Sequence, residues 1–478
     1  MTSNRKNIIT ATAFSCLAAV LKAADVSTNS IAIPALPATN SVPPLEKSSA
    51  VQQQNWNFHA QNTVIVQGYP GFSAQYSGPN SLPSGGQTRE TISVDVMGGL
   101  RLWRGAEAHV DGMMWQGFGA GNTLGAEGFP NGEAFRLGTG VPNGTLTRVF
   151  IRQTIGLGGE QETVPDDDLD LAGTRDISRL TFTIGRFSAK DIFDNNAYAN
   201  DPRTQFMNWG LMANEGWDYP ADAIGYTTGL AVELNQPRWT LRYGFFQVPA
   251  EQNGLTLEDR YITWPYNGSA ASGPFLEAWG MVTELERRYT LEDHPGTIRF
   301  LAFLNRAKMA NYSEAAALLQ AGGLTADWQA TRSYRLKYGF GLNWEQEIAT
   351  NVGVFSRLGW NDDQEEGYMF SDVGYAASLG LSFNGALWHR PDDTYGLAGV
   401  INGISKNAQE FFQAGGTGIL AGDGNLDYGL EKILETYYDF KIWKNFHSTV
   451  DYQFISNPAF NRARGPVSVF SARLHWEF

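Results

Sequence analysis

Strict alternation of apolar and polar residues marks the last segment of this chain. Over Val467–Phe478, one set of alternate positions is largely apolar and ends in Trp476 and Phe478, whereas the other set carries Arg473 and His475. Successive side chains of a strand point to opposite faces, so one face of this segment suits lipid and the other suits water. A closing strand of this kind is typical of outer-membrane proteins. The pattern predicts an all-β fold, a transmembrane antiparallel β-barrel.

Alternating segments of the same kind recur from residue 55 onward, separated by turn clusters rich in Gly, Asn, Asp and Pro. In the clearest one, Leu336 and Tyr338 share one face and Lys337 lies on the other. We predict strands near residues 55–68, 89–102, 104–115, 146–157, 178–187, 223–234, 238–248, 275–288, 296–305, 332–344, 350–360, 371–383, 394–402, 427–440, 446–456 and 467–477. This gives about 16 strands, with 18 as the alternative, because bacterial single-chain barrels use even numbers. A barrel of this size leaves a water-filled interior.

The amino terminus predicts export. Basic residues precede an apolar run from Ile8 to Leu21, which is shorter than the roughly 20 residues that a spanning helix needs, and small residues follow it. The single cysteine, Cys16, lies within this leader, so no disulfide framework is available. We predict a signal peptide at 1–23, a disordered Pro/Ser-rich periplasmic extension at 24–54 and one barrel domain at 55–478.

Composition changes this picture little. The mean hydropathy of −0.28 resembles that of a soluble protein, but alternation in a barrel averages its lipid-facing band away. Aromatic residues make up 13% of the chain, which suits the aromatic girdles of a barrel at both membrane interfaces. The formal net charge of −14 argues against nucleic acid as a partner.

The segment after the fifth predicted strand, residues 188–222, is too apolar for a freely solvated loop. Its aromatic side chains need cover, and the inner wall of a wide barrel is the nearest surface that can supply it. We therefore predict a constriction loop that folds into the lumen and narrows the pore. The candidate substrate-pathway residues of this loop are Asp191, Asp194, Asn195, Asn196, Asp201, Arg203, Trp209, Trp217 and Asp218.

Basic residues on the inward faces of the strands could confront this acidic loop. The candidate pore-wall residues are Arg148, Arg152, Arg242, Arg299, Arg335 and Arg357, with Lys337 and Arg473 in the same phase. A field across a constriction orients hydroxyl-rich solutes, and arginine–carboxylate forks match neighbouring sugar hydroxyls. The other interpretation is structural, since inward acids such as Glu284 and Glu286 could simply pair with these arginines and keep the wall rigid. Both interpretations stay open.

Two stretches resemble the carbohydrate-selective porins of the OprB type. One is the loop block from Gly185 to Trp209, closed by the run Trp217 to Asp222, and the other runs from Asn457 to Val467. With the strand pattern, the resemblance spans roughly residues 55 to 478. It implies passive diffusion of sugars across an outer membrane, with arginines and acids at the constriction. The extension at 24–54 departs from the compact barrel.

An enzyme is the alternative from another class, because paired carboxylates with tryptophans also describe glycoside hydrolases. The six histidines show no nucleophile or metal-binding spacing, so we predict no catalytic residue, no metal and no cofactor. The acidic run Asp166–Asp168 lacks the glycine and the terminal glutamate of a calcium loop. We expect this run to lie in a solvated external loop.

The sequence thus predicts an outer-membrane porin through which mono- or oligosaccharides diffuse passively. Its expected partners are carbohydrate solutes, outer-membrane lipid, the barrel-assembly machinery through the C-terminal strand and, by analogy with porins in general, two further copies in a homotrimer. A general diffusion porin without sugar preference and a glycan-active barrel protein are the alternatives.

Overall fold

A computed structural model describes residues 53–134, 138–249, 252–254, 256, 259–264 and 277–478. The predicted signal peptide at 1–23 lies outside the described residues, as does the predicted extension at 24–54 apart from its last two positions.

Sixteen long strands form one closed antiparallel sheet, in which each strand pairs with its neighbours in the chain. They are β1 Trp56–Tyr69, β2 Gln87–Trp103, β3 Ala106–Gly117, β4 Thr139–Gly156, β5 Arg179–Phe187, β6 Thr227–Gln236, β7 Trp239–Gln247, β8 Trp279–Leu291, β9 His294–Met309, β10 Ser333–Ala349, β11 Val352–Asn361, β12 Tyr375–Asn384, β13 Thr394–Gly403, β14 Glu431–Trp443, β15 Phe446–Ser456 and β16 Val467–Glu477. The last strand pairs with the first, from Gln61 opposite Glu477 to Gly68 opposite Phe470, and this closes the barrel. The predicted 16-strand barrel is confirmed.

The connections contain a few short elements. The helices are α1 Trp209–Met212, α2 Asp259–Ile262, α3 Tyr312–Gly322 and α4 Lys406–Gln413, and short 3-10 turns occupy Ala120–Asn122, Ala189–Asp191, Gly323–Thr325, Trp328–Thr331, Gly385–Trp388 and Pro458–Phe460. A small hairpin pairs Gln161–Val164 with Gly173–Asp176, and the two-residue strand Thr263–Trp264 pairs with β4. Among the described residues, no helix has both the length and the apolar composition needed to cross a bilayer.

Side-chain exposure follows the alternation read from the sequence. On β10, Leu336 is 38% exposed and Tyr338 45%, whereas Lys337 between them is 1% exposed. The same holds on β16, where Phe470 faces outward and Arg473 is buried in the interior. Apolar side chains therefore form the outer surface of the barrel and polar ones its inner wall, as a membrane-spanning barrel requires.

Placing a charge on the outer face should destabilise the barrel. We expect Tyr338→Lys to lower the free energy of unfolding in phospholipid vesicles by about 2 to 4 kcal/mol, because the new ammonium group would face hydrocarbon. Urea titration followed by tryptophan fluorescence measures this change. Glu410→Lys, on an exposed face of α4, is the control and should leave the unfolding midpoint where it is. Equal stability of the two variants would contradict the outward orientation of Tyr338.

The connections at the two ends of the barrel differ in length. Those at one end are mostly short, for example residues 104–105, 237–238 and 444–445, whereas those at the other end run from 10 residues at 457–466 to 39 at 188–226. In outer-membrane barrels the short turns face the periplasm and the long loops face outward. The acidic run Asp166–Asp168 lies between β4 and β5, at the short-turn end, so its expected position in an external loop is wrong.

Candidate functional site

The loop between β5 and β6, residues 188–226, lies against the inner wall of the barrel. Phe193 and Phe206 are fully buried. The ring of Phe193 packs edge-on against Phe246 of β7, with ring centroids 6.2 Å apart, and Phe206 packs in the same way against Tyr437 of β14 at 4.8 Å. The apolar residues that made this segment unusual as a loop thus attach it to opposite parts of the barrel.

Asp194 fixes the first half of the loop through charged contacts. Its carboxylate accepts from Arg357 Nε at 3.1 Å, from Lys190 Nζ at 3.0 Å and from Asn343 Nδ2 at 2.8 Å. Burial by itself would raise the pKa of Asp194, but the neighbouring Arg357 and Lys190 outweigh it and bring the pKa to about 2. The Asp194 and Arg357 side chains are each only 2% exposed, so this pair holds the loop and does not face solute.

Further wall residues hold the middle of the loop through its backbone. Glu435 of β14 accepts from the N–H groups of Met207 at 2.6 Å and Asn208 at 3.0 Å. Arg473 of β16 donates to the carbonyl oxygens of Pro202 at 2.6 Å and Gln205 at 2.8 Å. Hydrogen bonds to charged groups are stronger than neutral ones, so these contacts hold the middle of the loop firmly against this part of the wall.

A cavity of about 490 Å³ lies between this loop, the loop at 118–138 and the wall. Two arginines with acid partners line it. Arg148 of β4 binds Asp191 with both arms of its guanidinium, at 2.7 and 2.8 Å. Arg203 lies 3.2 Å from Glu133 and 3.4 Å from Asp95. Each arginine side chain keeps 14% of its surface exposed, so both can contact a solute, unlike Arg357.

Aromatic rings form another part of the cavity wall. Trp209 stacks on Phe129 with centroids 5.1 Å apart, and Phe370 lies 5.3 Å from Trp209 and 4.5 Å from Tyr219. All four rings line the same cavity as Arg148 and Arg203. They come from three different loops, so an apolar face and a charged edge meet only in the folded barrel.

Comparisons with known proteins show the family of the chain. Residues 80–478 match the family model described as carbohydrate-selective porin, OprB family. The chain belongs to this family. A high-pH structure of OprB from Pseudomonas putida is 16% identical to the chain, with a TM-score of 0.65 over 89% of this chain and 94% of that one. The channel DcaP of Acinetobacter baumannii is 8% identical, with a TM-score of 0.43 over 90% of this chain and 100% of that one. No curated protein matches the chain.

Membership in the OprB family, together with the closed 16-strand barrel, makes the chain an outer-membrane porin for passive diffusion of carbohydrates. The sequence-predicted residues divide into groups within this OprB-family barrel. Those that line the cavity are Asp191, Asn195, Asp201, Arg203 and Trp209 of the loop and Arg148 of the wall. Those buried beneath it are Asp194, Asn196, Trp217, Asp218 and Arg357.

The remaining arginines pair with acids away from the cavity. Arg242 lies 2.7 Å from Glu284 and 2.9 Å from Glu286, and Arg299 lies 3.0 Å from Glu286, so these four residues form one ion-pair network along the wall. These contacts fit the structural interpretation, in which inward arginines and acids pair and keep the wall rigid. Arg335 pairs with Glu314 near the long-loop end and Arg152 with Asp170 at the short-turn end.

Sequence reasoning missed several cavity residues that lie outside the constriction loop, among them two aromatic residues and one acid of the site described above. Phe129 and Glu133 belong to the loop at 118–138, and Phe370 belongs to the loop at 362–374. Neither loop has an apolar run comparable with that of 188–222, so no local pattern singles these residues out. They join the cavity because the barrel brings its loops together.

Proposed function

We propose that neutral sugars cross this OprB-family porin through the 490 Å³ cavity, over the aromatic face and past the two arginine–acid pairs. One observation carries the proposal: Trp209 and its stacked neighbours line the same space as Arg148 and Arg203. A sugar ring has apolar C–H faces and hydroxyls around its rim, and this cavity has complementary surfaces for both.

The two kinds of surface act differently on the solute. An aromatic face packs against the apolar C–H face of a sugar ring. The Arg148–Asp191 and Arg203–Glu133 pairs offer donors and acceptors side by side, so adjacent hydroxyls can exchange water contacts for protein contacts as the sugar moves. Each contact is weak, because conduction requires that a bound solute also leaves easily.

We propose further that this porin catalyses no reaction and that diffusion down the concentration gradient is the whole of its activity. The finer expectations about its assembly stay predictions: export through the leader at 1–23, recognition of the C-terminal strand by the barrel-assembly machinery, and association into a homotrimer. Native mass spectrometry of the detergent-extracted protein would test the last of these, with a mass of three copies as the expected result.

The first test is single-channel conductance in a planar bilayer. Glucose and then a maltose series are titrated into the salt solution, and we expect stepwise currents that fall as sugar is added. The order of blocking by size identifies the preferred sugars. Currents that do not change when sugar is added would indicate a general diffusion porin. A correctly folded protein that carries no current would contradict the porin function.

Removing the central ring of the aromatic face should weaken sugar block. We expect Trp209→Ala to raise the half-blocking concentration of glucose about five- to tenfold, since a lost aromatic contact of ~1 to 1.4 kcal/mol corresponds to that factor. Conductance noise analysis at increasing glucose concentration measures it. The matched control is Trp443→Ala, which replaces an exposed tryptophan at the short-turn end of β14. Its half-blocking concentration of glucose should equal that of the parent protein. Equal half-blocking concentrations of glucose in the two variants would show that Trp209 does not contact the permeating sugar.

A further inference from the structure

The connection between β4 and β5, residues 157–178, is much longer than closure of two strands requires. Two residues are enough for an antiparallel turn, and the barrel uses two at 104–105, 237–238, 292–293, 350–351 and 444–445 of the same end. Residues 157–178 instead form a hairpin with a tip at 165–172. We call this segment the periplasmic tongue, because it lies at the short-turn end.

The tip of the periplasmic tongue is fixed to two barrel strands. Asn57 of β1 donates through Nδ2 to Asp166 Oδ1 at 3.0 Å and to the Asp167 carbonyl oxygen at 2.9 Å. Arg152 of β4 donates to the Leu169 carbonyl oxygen at 2.7 Å and to Asp170 Oδ1 at 2.9 Å. These contacts hold the tip in one position across the mouth of the barrel.

From this position the tip enters the cavity of the proposed sugar path. Asp167, Asp168 and Leu169 line the same cavity as Arg148 and Arg203. Leu169 also packs against the buried cluster that contains Trp209. The constriction loop thus enters the lumen from the long-loop end and the periplasmic tongue from the short-turn end, and residues of both line the cavity of the proposed sugar path.

The charges on the tip are unequally compensated. Asp166 contacts His59 Nε2 at 3.1 Å, and Asp170 contacts Arg152 at 2.9 Å. Within the part of the chain that the structure describes, neither Asp167 nor Asp168 forms an ion pair. These two carboxylates therefore add negative charge at the periplasmic side of a cavity whose other side carries partly exposed arginines.

We propose that the periplasmic tongue is a second selectivity element of this porin, with Asp167 and Asp168 excluding anionic solutes at the exit. This inference rests on the proposed sugar path through the cavity. Arg148 and Arg203 are paired with acids. An anion such as a sugar acid on its way to the periplasm therefore meets the two carboxylates of the tip, which form no ion pair, and is repelled by them. A neutral sugar meets no such barrier, and the carboxylates can accept its hydroxyls.

Charge-neutralising variants of the tip test this proposal. Asp167→Asn combined with Asp168→Asn keeps the shape of the tongue and removes both charges. A unit charge at about 10 Å in water changes the partition of a monovalent ion about twofold. Removing both charges should therefore raise anion permeability about fourfold and lower cation permeability about fourfold, so we expect the anion-to-cation permeability ratio to rise about 16-fold. The reversal potential in a potassium chloride gradient measures it. Uptake of gluconate relative to glucose into liposomes should rise about fourfold, because only gluconate responds to the loss of the two charges.

The matched control removes two acids at the same end of the barrel but outside the cavity, Glu160→Gln combined with Glu292→Gln. We expect this control to keep the parent reversal potential. Asp168→Lys changes the charge of the tip by the same two units as the double asparagine variant and should shift the reversal potential in the same direction. If sugar blocks the parent channel and all variants keep the parent reversal potential, the proposed role of the tongue is wrong and the sugar path stands. A parent protein that folds and does not conduct would overturn the sugar path as well.

Discussion

Asp194→Ala is expected to free the constriction loop from the wall and to give a wider, less selective channel. The substitution leaves Arg357 and Lys190 without their shared carboxylate, and an unpaired buried charge costs about 3 to 5 kcal/mol. The loop can escape this cost by leaving the wall, which lets water reach Arg357. Single-channel conductance should therefore increase, and maltose-series sugars that the parent protein excludes should enter liposomes.

Asp392→Ala is the control for this change. Asp392 is an exposed acid in the connection at 385–393, paired with Lys441 at 3.4 Å, and its removal should leave conductance unchanged. The Asp194 side chain is buried, so its removal is expected to act through attachment of the loop. An Asp194→Ala channel with parent conductance and parent size exclusion would show that the aromatic contacts of Phe193 and Phe206 suffice to hold the loop.

Arg203→Gln is expected to convert the mixed charge of the constriction into an acidic one. Asp95 and Glu133 lie within 3.4 Å of this guanidinium and would lose their cation. One charge at about 5 Å in water changes the partition of a monovalent ion about fourfold, in opposite directions for cations and anions, so the cation-to-anion permeability ratio should rise about 16-fold. The reversal potential in a potassium chloride gradient measures the shift, and the half-blocking concentration of glucose should rise at the same time.

Arg203→Lys separates the charge of this residue from its shape. Lysine keeps the positive charge but lacks the planar fork of donors. We expect near-parent ion selectivity together with weakened sugar block. If the lysine variant matches the glutamine variant in ion selectivity, the charge of Arg203 does not act on the permeating ion, and the residue only supports the loop.

The strands were predictable because one physical constraint acts on every residue of them. Lipid on one side and water on the other impose a period of two, and Leu336, Lys337 and Tyr338 obey it in both sequence and structure. The position of the constriction loop was predictable for a related reason, since Phe193 and Phe206 need apolar cover wherever they lie. The acidic run Asp166–Asp168 gave no such signal, and its expected place in an external loop was wrong.

The roles of the inward arginines were not predictable from the alternation that places them on the inner face of the strands. Arg242 and Arg148 are both inward-facing, yet Arg242 pairs with Glu284 and Glu286 of a neighbouring strand, whereas Arg148 reaches Asp191 of the loop. The difference depends on which acids the strand register and the loop path bring within reach. Residues far apart in the chain decide this, and alternation along one strand carries no information about them.

By itself, the sequence determined the all-β class, the even strand number, the outer and inner face of each strand and the loop that enters the lumen, because each follows from local periodicity and from the need to bury apolar side chains. Only the tertiary structure decided which charges line the cavity, which are buried beneath it, and that Phe129, Trp209 and Phe370 from three loops form one surface. It also brought the tongue at 157–178 into the same cavity. These features depend on closure of the barrel, which places side chains from distant parts of the chain around one shared space.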